Sequence, residues 1–276
     1  MQTYAETAYA KINLALHVRG RRPDCYHELE TLFAFVDDGD QLTVSPSSSL
    51  TLAISGPFSQ DLGNSDDNLV LRASKLLQTH FKIERGAALT LHKSLPVSSG
   101  IGGGSADAAA AARLLNRFWQ LGADHATLAA LLAPLGADIP ACVASVSAFG
   151  IGTGTTLLPV EGRDLSGVPV LLVNPLKPLA TADVFAHWDG IDRGALCKGN
   201  PREAALQGRN DLETTAIEIC PIIADVLTSL QSTQPVLARM SGSGATCFAL
   251  YQGLEARDAA KVRVSRSWWT LAGHLR

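Results

Sequence analysis

Residues 96–109 read PVSSGIGGGSADAA, and how that stretch is read decides the fold. Four of the five residues from Gly100 to Gly104 are glycine (Gly100, Gly102, Gly103, Gly104, around Ile101), and Ser105 follows. Glycine backbones approach a ligand closely and adopt left-handed φ values at little cost. Beyond the run, Ala108, Ala111, Ala112, Leu115, Phe118 and Trp119 share one stripe, which predicts a helix that Gly122 ends. A helix that starts directly after glycines offers its first N–H groups and its positive dipole end to an anion, above all a phosphate. Ser105 either caps that helix or lends its hydroxyl to a phosphate or a metal. The plainer alternative is a glycine turn that lets a helix pack tightly. No GK[ST] follows, so this is no Walker A loop, and Ser105 stands where a Rossmann fingerprint has its third glycine.

Toward the N-terminus, Thr7 to Val18 alternates. Ala8, Ala10, Ile12, Leu14, Leu16 and Val18 share one face, and Tyr9, Lys11, Asn13 and His17 share the other, so a half-buried strand is expected with Lys11 and Asn13 on its open face. They are either ordinary residues of a solvated face or polar groups aimed at a phosphate site. A turn (GRRPDCYH, 20–27) leads to an apolar run from Leu29 to Val36, two strands within Leu42 to Ile54, a helix over Asn68 to Phe81 and a strand over Ala87 to Leu91. Past the glycine helix, a second helix is expected from about Thr127 to Ala133. GADIP (136–140) opens a short element that Asp138 either caps or equips with a base, and strands fill Ser145 to Leu158.

The second half starts with a strand at Val168 to Val173 and a helical stretch from about Ala182. A helical run over Asp211 to Gln231 is interrupted by Pro221. Two strands (Val236–Met240, Thr246–Tyr251) flank the SGSGA turn, whose Gly242 and Gly244 alone suit a hairpin as well as a ligand. A helix (Glu255–Val264) and a strand (Trp268–Leu271) follow. Helices set between antiparallel-capable strands favour an α+β class. Two domains are expected, residues 1–160 and 161–276.

Composition narrows the function. The chain has 276 residues, about two domains at ~150 residues each. With 46% hydrophobic and 18% charged residues it is a globular chain, and a net charge of -3 argues against nucleic acid or an anionic membrane as partner. Five cysteines without a CxxC pair argue against a disulfide framework and for a reducing compartment, with the cytoplasm expected. Glu6 precedes any basic residue, unlike a signal peptide, and the uncharged stretch Ile139 to Val160 is broken by Pro140, Gly150, Gly152 and Gly154. His27-Glu28-Leu29-Glu30-Thr31 misses the HExxH zinc pattern at Thr31, and no GxSxG elbow occurs.

Several stretches together resemble the GHMP kinase superfamily: AYAKINLALHVRGRRPDCYHELETLF (8–33), LPVSSGIGGGSADAA (95–109), LGADIP (135–140), TADVF (181–185), NDLE (210–213) and SGSGATCFA (241–249). The KIN…GRRxDxYHE run is similar to the branch whose substrate is 4-diphosphocytidyl-2-C-methyl-D-erythritol. The resemblance implies a two-domain fold, an N-terminal domain like ribosomal protein S5 domain 2 and a ferredoxin-like C-terminal domain. It implies transfer of the ATP γ-phosphate to the C2 hydroxyl of that small molecule with Mg2+, within the non-mevalonate isoprenoid pathway. A monomer or weak homodimer, without nucleic acid or membrane, is the expected working form.

By the same resemblance, Asp138 is the general base, Lys11 orients the hydroxyl and Asn13 holds the erythritol part. Tyr26 stacks on cytosine, His27 bonds its edge, Phe185 covers its other face and Thr181 lies nearby. Pro96, Gly100, Ile101, Gly102, Gly103, Gly104 and Ser105 cradle ATP, with Asn68, Gly242 and Gly244 near it; metal ligands are not identified. Cys25 replaces a usual glycine, where a Cβ would strain a positive φ, so either the turn is relaxed or the position needs none, and Ser98 and Ser99 stand where Gly or Ala is common. A mevalonate or homoserine kinase is disfavoured by Tyr26, His27 and Phe185, and a decayed regulatory protein by Lys11 and Asp138.

Overall fold

A computed structural model describes residues 4–62, 67–160 and 165–276. Its elements in chain order begin with β1 (Tyr4–Arg21), β2 (His27–Ser45), β3 (Leu50–Ser55), α1 (Leu69–Phe81) and β4 (Ala87–His92). Next come α2 (Gly103–Trp119), α3 (His125–Leu132), α4 (Ile139–Ala144), β5 (Ala148–Gly152) and β6 (Thr156–Pro159). The rest are β7 (Pro169–Asn174), α5 (Thr181–Ala186), α6 (Pro201–Gln207), α7 (Glu213–Ile219), α8 (Ile222–Gln231), β8 (Leu237–Met240), β9 (Cys247–Leu250), α9 (Leu254–Arg263) and β10 (Trp269–His274). No helix among the described residues is long and apolar enough to cross a membrane.

The contacts divide the chain into two compact units, each of three segments. Unit 1 is Met1–Ala10, Asp38–Val97 and Gly102–Ser145; unit 2 is Lys11–Asp37, Ser98–Ile101 and Val146–Arg276. The expected division at residue 160 is a single cut along the chain, whereas β1 and β2 each serve both units, so the contacts follow space rather than sequence.

In unit 1, β4 pairs antiparallel with the last residues of β2 (Leu42 opposite Leu91) and parallel with β3 (Leu52 opposite Leu89). α1 starts where Asn68 Oδ1 accepts the Val70 N–H (2.9 Å) and ends at Lys82 in the left-handed conformation. α2 buries Ala106 and Ala108 to Ala112, small side chains that let α1 and α4 approach closely. It ends at Trp119, earlier than expected, because Gln120 (φ 57°) takes the left-handed cap expected of Gly122.

In unit 2, β1 and β2 form a hairpin across the Arg22–Tyr26 turn, and β2 continues to β5 and β6. A separate antiparallel sheet has the order β10-β7-β9-β8. With helices between β7 and β8 and α9 between β9 and β10, that is the βαββαβ order of a ferredoxin-like layer. Its core includes Leu171, Val173, Ile223, Leu230, Cys247 and Ala249, with Leu16 and Val18 of β1. Each such fully buried aliphatic is worth about 1.5–3 kcal/mol. α6 had no counterpart in the sequence reading; Asn200 Oδ1 accepts the Arg202 and Glu203 N–H groups and Pro201 occupies its first turn.

Candidate active site

The expectation that Lys11 and Asn13 face water is corrected: both are 3% exposed. Part of their bonding lies inside unit 2. Lys11 Nζ donates to Asn13 Oδ1 (2.9 Å) and stands 5.4 Å from the centre of the Phe33 ring. Asn13 Nδ2 donates to Thr31 Oγ1 (2.8 Å), which donates on to Ala15 O (2.6 Å). This chain has one direction only. A flipped Asn13 amide would set its NH2 against the ammonium, so the oxygen must face Lys11. Thr31, which spoils the zinc pattern, is the residue that orients this amide.

The same strand carries the two glycine loops. The Asn13 N–H donates to Ser241 Oγ (3.1 Å), Ser241 Oγ donates to Gly100 O (3.0 Å), and the Lys11 N–H donates to Ile101 O (3.1 Å). Thr246 N–H donates to Ser99 O (3.2 Å). A Cβ on Gly100 would come 2.5 Å from Ser241 O and 2.7 Å from Gly244 O, so only glycine admits this approach. The SGSGA turn is therefore joined to the first loop rather than being an isolated hairpin. Asn210 of NDLE holds it from below, its Nδ2 donating to Met240 O and Gly242 O (both 2.8 Å).

Substrate-side candidates surround this network. Thr181, first residue of α5, hydrogen-bonds Ser243 through its hydroxyl (2.9 Å), and one turn on Phe185 meets the His27 ring with centroids 5.0 Å apart. His27 is buried, and burial, followed by the Arg21 guanidinium, holds its pKa below the ordinary imidazole value. Tyr26 beside it is 63% exposed. Cys25 adopts φ 67° and Ser98 φ 51°, so both keep a left-handed backbone despite their Cβ. Each conformation costs roughly 1–2 kcal/mol.

Unit 1 holds the other candidates. Gly102 (φ 65°) is the N-cap of α2, and Ser105 is its third helical residue, so the cap expected of Ser105 is not made. The first bond in this turn runs from Ala106 N–H to Gly102 O (2.8 Å), and the N–H groups before it have no partner within the helix. A Cβ on Gly136 would lie 3.8 Å from Ser105 Oγ, which brings the turn carrying Asp138 against the start of α2. Asp138 sits at the N-cap of α4 without a side-chain capping bond, and Arg113 of α2 donates to Cys142 O (2.6 Å) and Val143 O (3.2 Å) near its other end.

Beneath the glycine loop lies a cluster that the sequence did not signal. Lys93 Nζ, buried, bonds Asp40 Oδ2 and Asp107 Oδ2 (2.7 Å to the latter). Asp40 Oδ1 also accepts the N–H groups of Ser94 (2.5 Å) and Leu95 (2.8 Å), fixing the chain just before Pro96, itself buried. Burial pushes Asp107 up to about 7 against the pull of Lys93. Burial works against the Lys93 ammonium, but Asp107 and Asp40 outweigh it and hold that pKa above the ordinary lysine value.

Comparison with known proteins shows the family. The family models "GHMP kinases N terminal domain" and "GHMP kinases C terminal" match residues 68–145 and 193–269. A 4-diphosphocytidyl-2-C-methyl-D-erythritol kinase of Sphingopyxis alaskensis is 53% identical over 99% of both chains, and one of Novosphingobium aromaticivorans is 55% identical over 98% of this chain and 92% of that one. A crystal structure of 4-(cytidine 5'-diphospho)-2C-methyl-D-erythritol kinase superposes with TM-score 0.79 at 31% identity, covering 98% of each chain. A homoserine kinase from Cytophaga hutchinsonii shares the fold alone, at TM-score 0.75 and 16% identity over 100% of this chain and 95% of that one.

Proposed function

The chain belongs to the GHMP kinases and, among them, to the 4-diphosphocytidyl-2-C-methyl-D-erythritol kinases, and from that membership we propose how its residues carry the reaction. It is a kinase that moves the γ-phosphoryl group of ATP to the C2 hydroxyl of 4-diphosphocytidyl-2-C-methyl-D-erythritol in non-mevalonate isoprenoid biosynthesis. The observation that carries the assignment of residues is the chain Lys11–Asn13–Ser241–Gly100, which ties a buried ammonium to both glycine loops.

Phosphoryl transfer has a loose transition state, so positioning and charge neutralisation dominate and the hydroxyl proton leaves late. Asp138 takes that proton, and Lys11 orients the hydroxyl and offsets the charge that develops. Asn13 holds the erythritol part through whatever bonding capacity Lys11 and Thr31 leave it. Tyr26 and Phe185 enclose the cytosine ring, worth ~1–3 kcal/mol per stacked base, His27 bonds its edge, and Thr181 lies beside the substrate. Gly100 to Ser105 cradle the ATP phosphates with Pro96, Gly242 and Gly244 beside them. Asn68 meets the nucleotide through its Nδ2, since its Oδ1 serves the α1 cap.

Mg2+ would supply neutralisation of the phosphate charge when bound with ATP, and a site of that kind asks for only one or two protein oxygens. The residues present fit that demand, because the Ser105 hydroxyl and the turn carrying Asp138 adjoin at the start of α2. Residues 1–160 and 161–276 remain the two domains along the sequence, the first named for ATP and the second for substrate, but Asn13, Tyr26 and His27 of the first serve the substrate and Gly242 and Gly244 of the second lie beside ATP. We assign the enzyme to the cytoplasm as a monomer or weak homodimer, a reading supported by its five free thiols and mild net charge.

ATP turnover with the cytidylyl substrate, mevalonate and homoserine offered in parallel tests the reading, and only the first is expected to be phosphorylated. Asp138→Ala is expected to lower kcat by roughly 10²–10⁴ with nucleotide affinity little changed. A near-normal kcat in that variant removes Asp138 from the mechanism.

A further inference from the structure

Trp188, two residues beyond the end of α5, packs on His27, with ring centroids 5.7 Å apart and planes at 86°. Phe185 approaches the same imidazole with its plane tilted by 38°. All three rings belong to unit 2. Two polar atoms of this cluster, His27 Nε2 and Trp188 Nε1, are buried and have no hydrogen-bond partner among the described residues. Folded proteins rarely leave such atoms bare, because each has given up water for nothing. Here two of them fall in one three-ring cluster, next to an exposed tyrosine.

We propose that Trp188 is a positioning residue for pyrimidine specificity: its ring walls His27 off from water, so that the imidazole edge stays unsatisfied until a cytosine edge reaches it. This rests on the assignment of His27 to the cytidine site. A neutral imidazole offers one N–H and one bare nitrogen. Cytosine presents a bare N3 beside an amino group, whereas uracil presents an N3–H beside an oxygen. In a wet site water mends the mismatch. In a dry site the mismatch leaves a buried atom bare, and only then is discrimination by hydrogen bonding large. Trp188 therefore acts through His27 and does not itself read the base.

Calorimetric titration with cytidine 5'-diphosphate and uridine 5'-diphosphate tests this on the whole chain. The wild type is expected to prefer the cytidine nucleotide. Trp188→Ala is expected to narrow the ratio of the two dissociation constants about tenfold, the equivalent of ~1.4 kcal/mol, with kcat at saturation within about twofold and KM for ATP unchanged. Trp188→Leu, which keeps apolar bulk, is the second variant should the alanine form melt early, with the same narrowing expected. Trp188→Phe keeps a ring wall and is expected to keep the ratio. In a His27→Ala background, removing Trp188 is expected to narrow nothing further. A wild-type ratio in both the Ala and Leu variants overturns the inference, as does a narrowing in Trp188→Phe as large as in Trp188→Ala. A wild type that binds neither nucleotide and turns over no cytidylyl substrate sinks instead the functional reading beneath it.

Discussion

Each glycine loop stands next to a buried cation, and the two cations are stabilised in opposite ways. Lys93, under the loop of unit 1, is matched by two carboxylates, Asp40 and Asp107. Arg239, two residues before the Ser241 turn of unit 2, spreads its guanidinium over the carbonyl oxygens of Leu14, Ala205 and Gly208. Full charges raise the Lys93 pKa in spite of burial. Carbonyl dipoles do not suffice to do so for Arg239: burial pulls it down to about 10, and Glu213 offsets this only in part. The lesson concerns what removal leaves behind. Without Lys93, two carboxylates face each other in a dry site; without Arg239, three neutral oxygens lose a donor.

The largest effect should therefore come from Lys93→Met, which is expected to lower unfolding free energy by about 3–5 kcal/mol in urea titration. If adding Asp40→Asn and Asp107→Asn restores nothing, stranded charge is not the cause. Arg239→Lys comes next. A point-like ammonium cannot serve three carbonyls as a planar fork does, and a loss of about 1–3 kcal/mol is expected from the same titration.

The pH dependence above about pH 10 separates the two cations by sign. Lys93, with its folded pKa raised, contributes stability that is intact below the unfolded lysine value and drains away as pH climbs through the folded one. Arg239 behaves oppositely: between about 10 and the higher ordinary guanidinium value the unfolded chain holds the extra proton, so its contribution improves as pH rises. Wild type should lose stability with pH more steeply than Lys93→Met and less steeply than Arg239→Met; equal slopes in all three would refute the contrast. The smallest effect serves as a control outside both loops. Cys25→Gly relieves a left-handed Cβ and is expected to raise stability by about 1 kcal/mol or less, as read by thermal melting.

Much of this was legible from residue patterns. Alternation in β1, the glycine run before α2 and the break at Pro221 are local signals, and the elements they predict are present. Burial of Lys11 and Asn13 was not legible, because alternation separates polar from apolar faces but cannot tell water from an internal partner such as Thr31. The Lys93–Asp40 pair spans 53 positions and Arg239 reaches Leu14 across 225, so no window along the chain contains either. Trp188 is silent in the sequence for another reason: a single aromatic past a short helix carries no periodicity. The Asn200-Pro201 start of α6 is a local capping signal, but a helix of only 7 residues has too few turns to show periodicity.

The segmental make-up of unit 2 has a consequence for synthesis on the ribosome. Residues 11–37 are made early, yet their mates Asn210, Ser241 and Leu275 are made long after them. All of unit 1 has been made by Ser145, while the strand bearing Lys11 and Asn13, able by then to pair with β2, still lacks the partners it finds at Asn210 and Ser241. A nascent chain stalled near that serine would thus carry Lys11 on a strand with one unfinished edge, a natural place for a chaperone to hold.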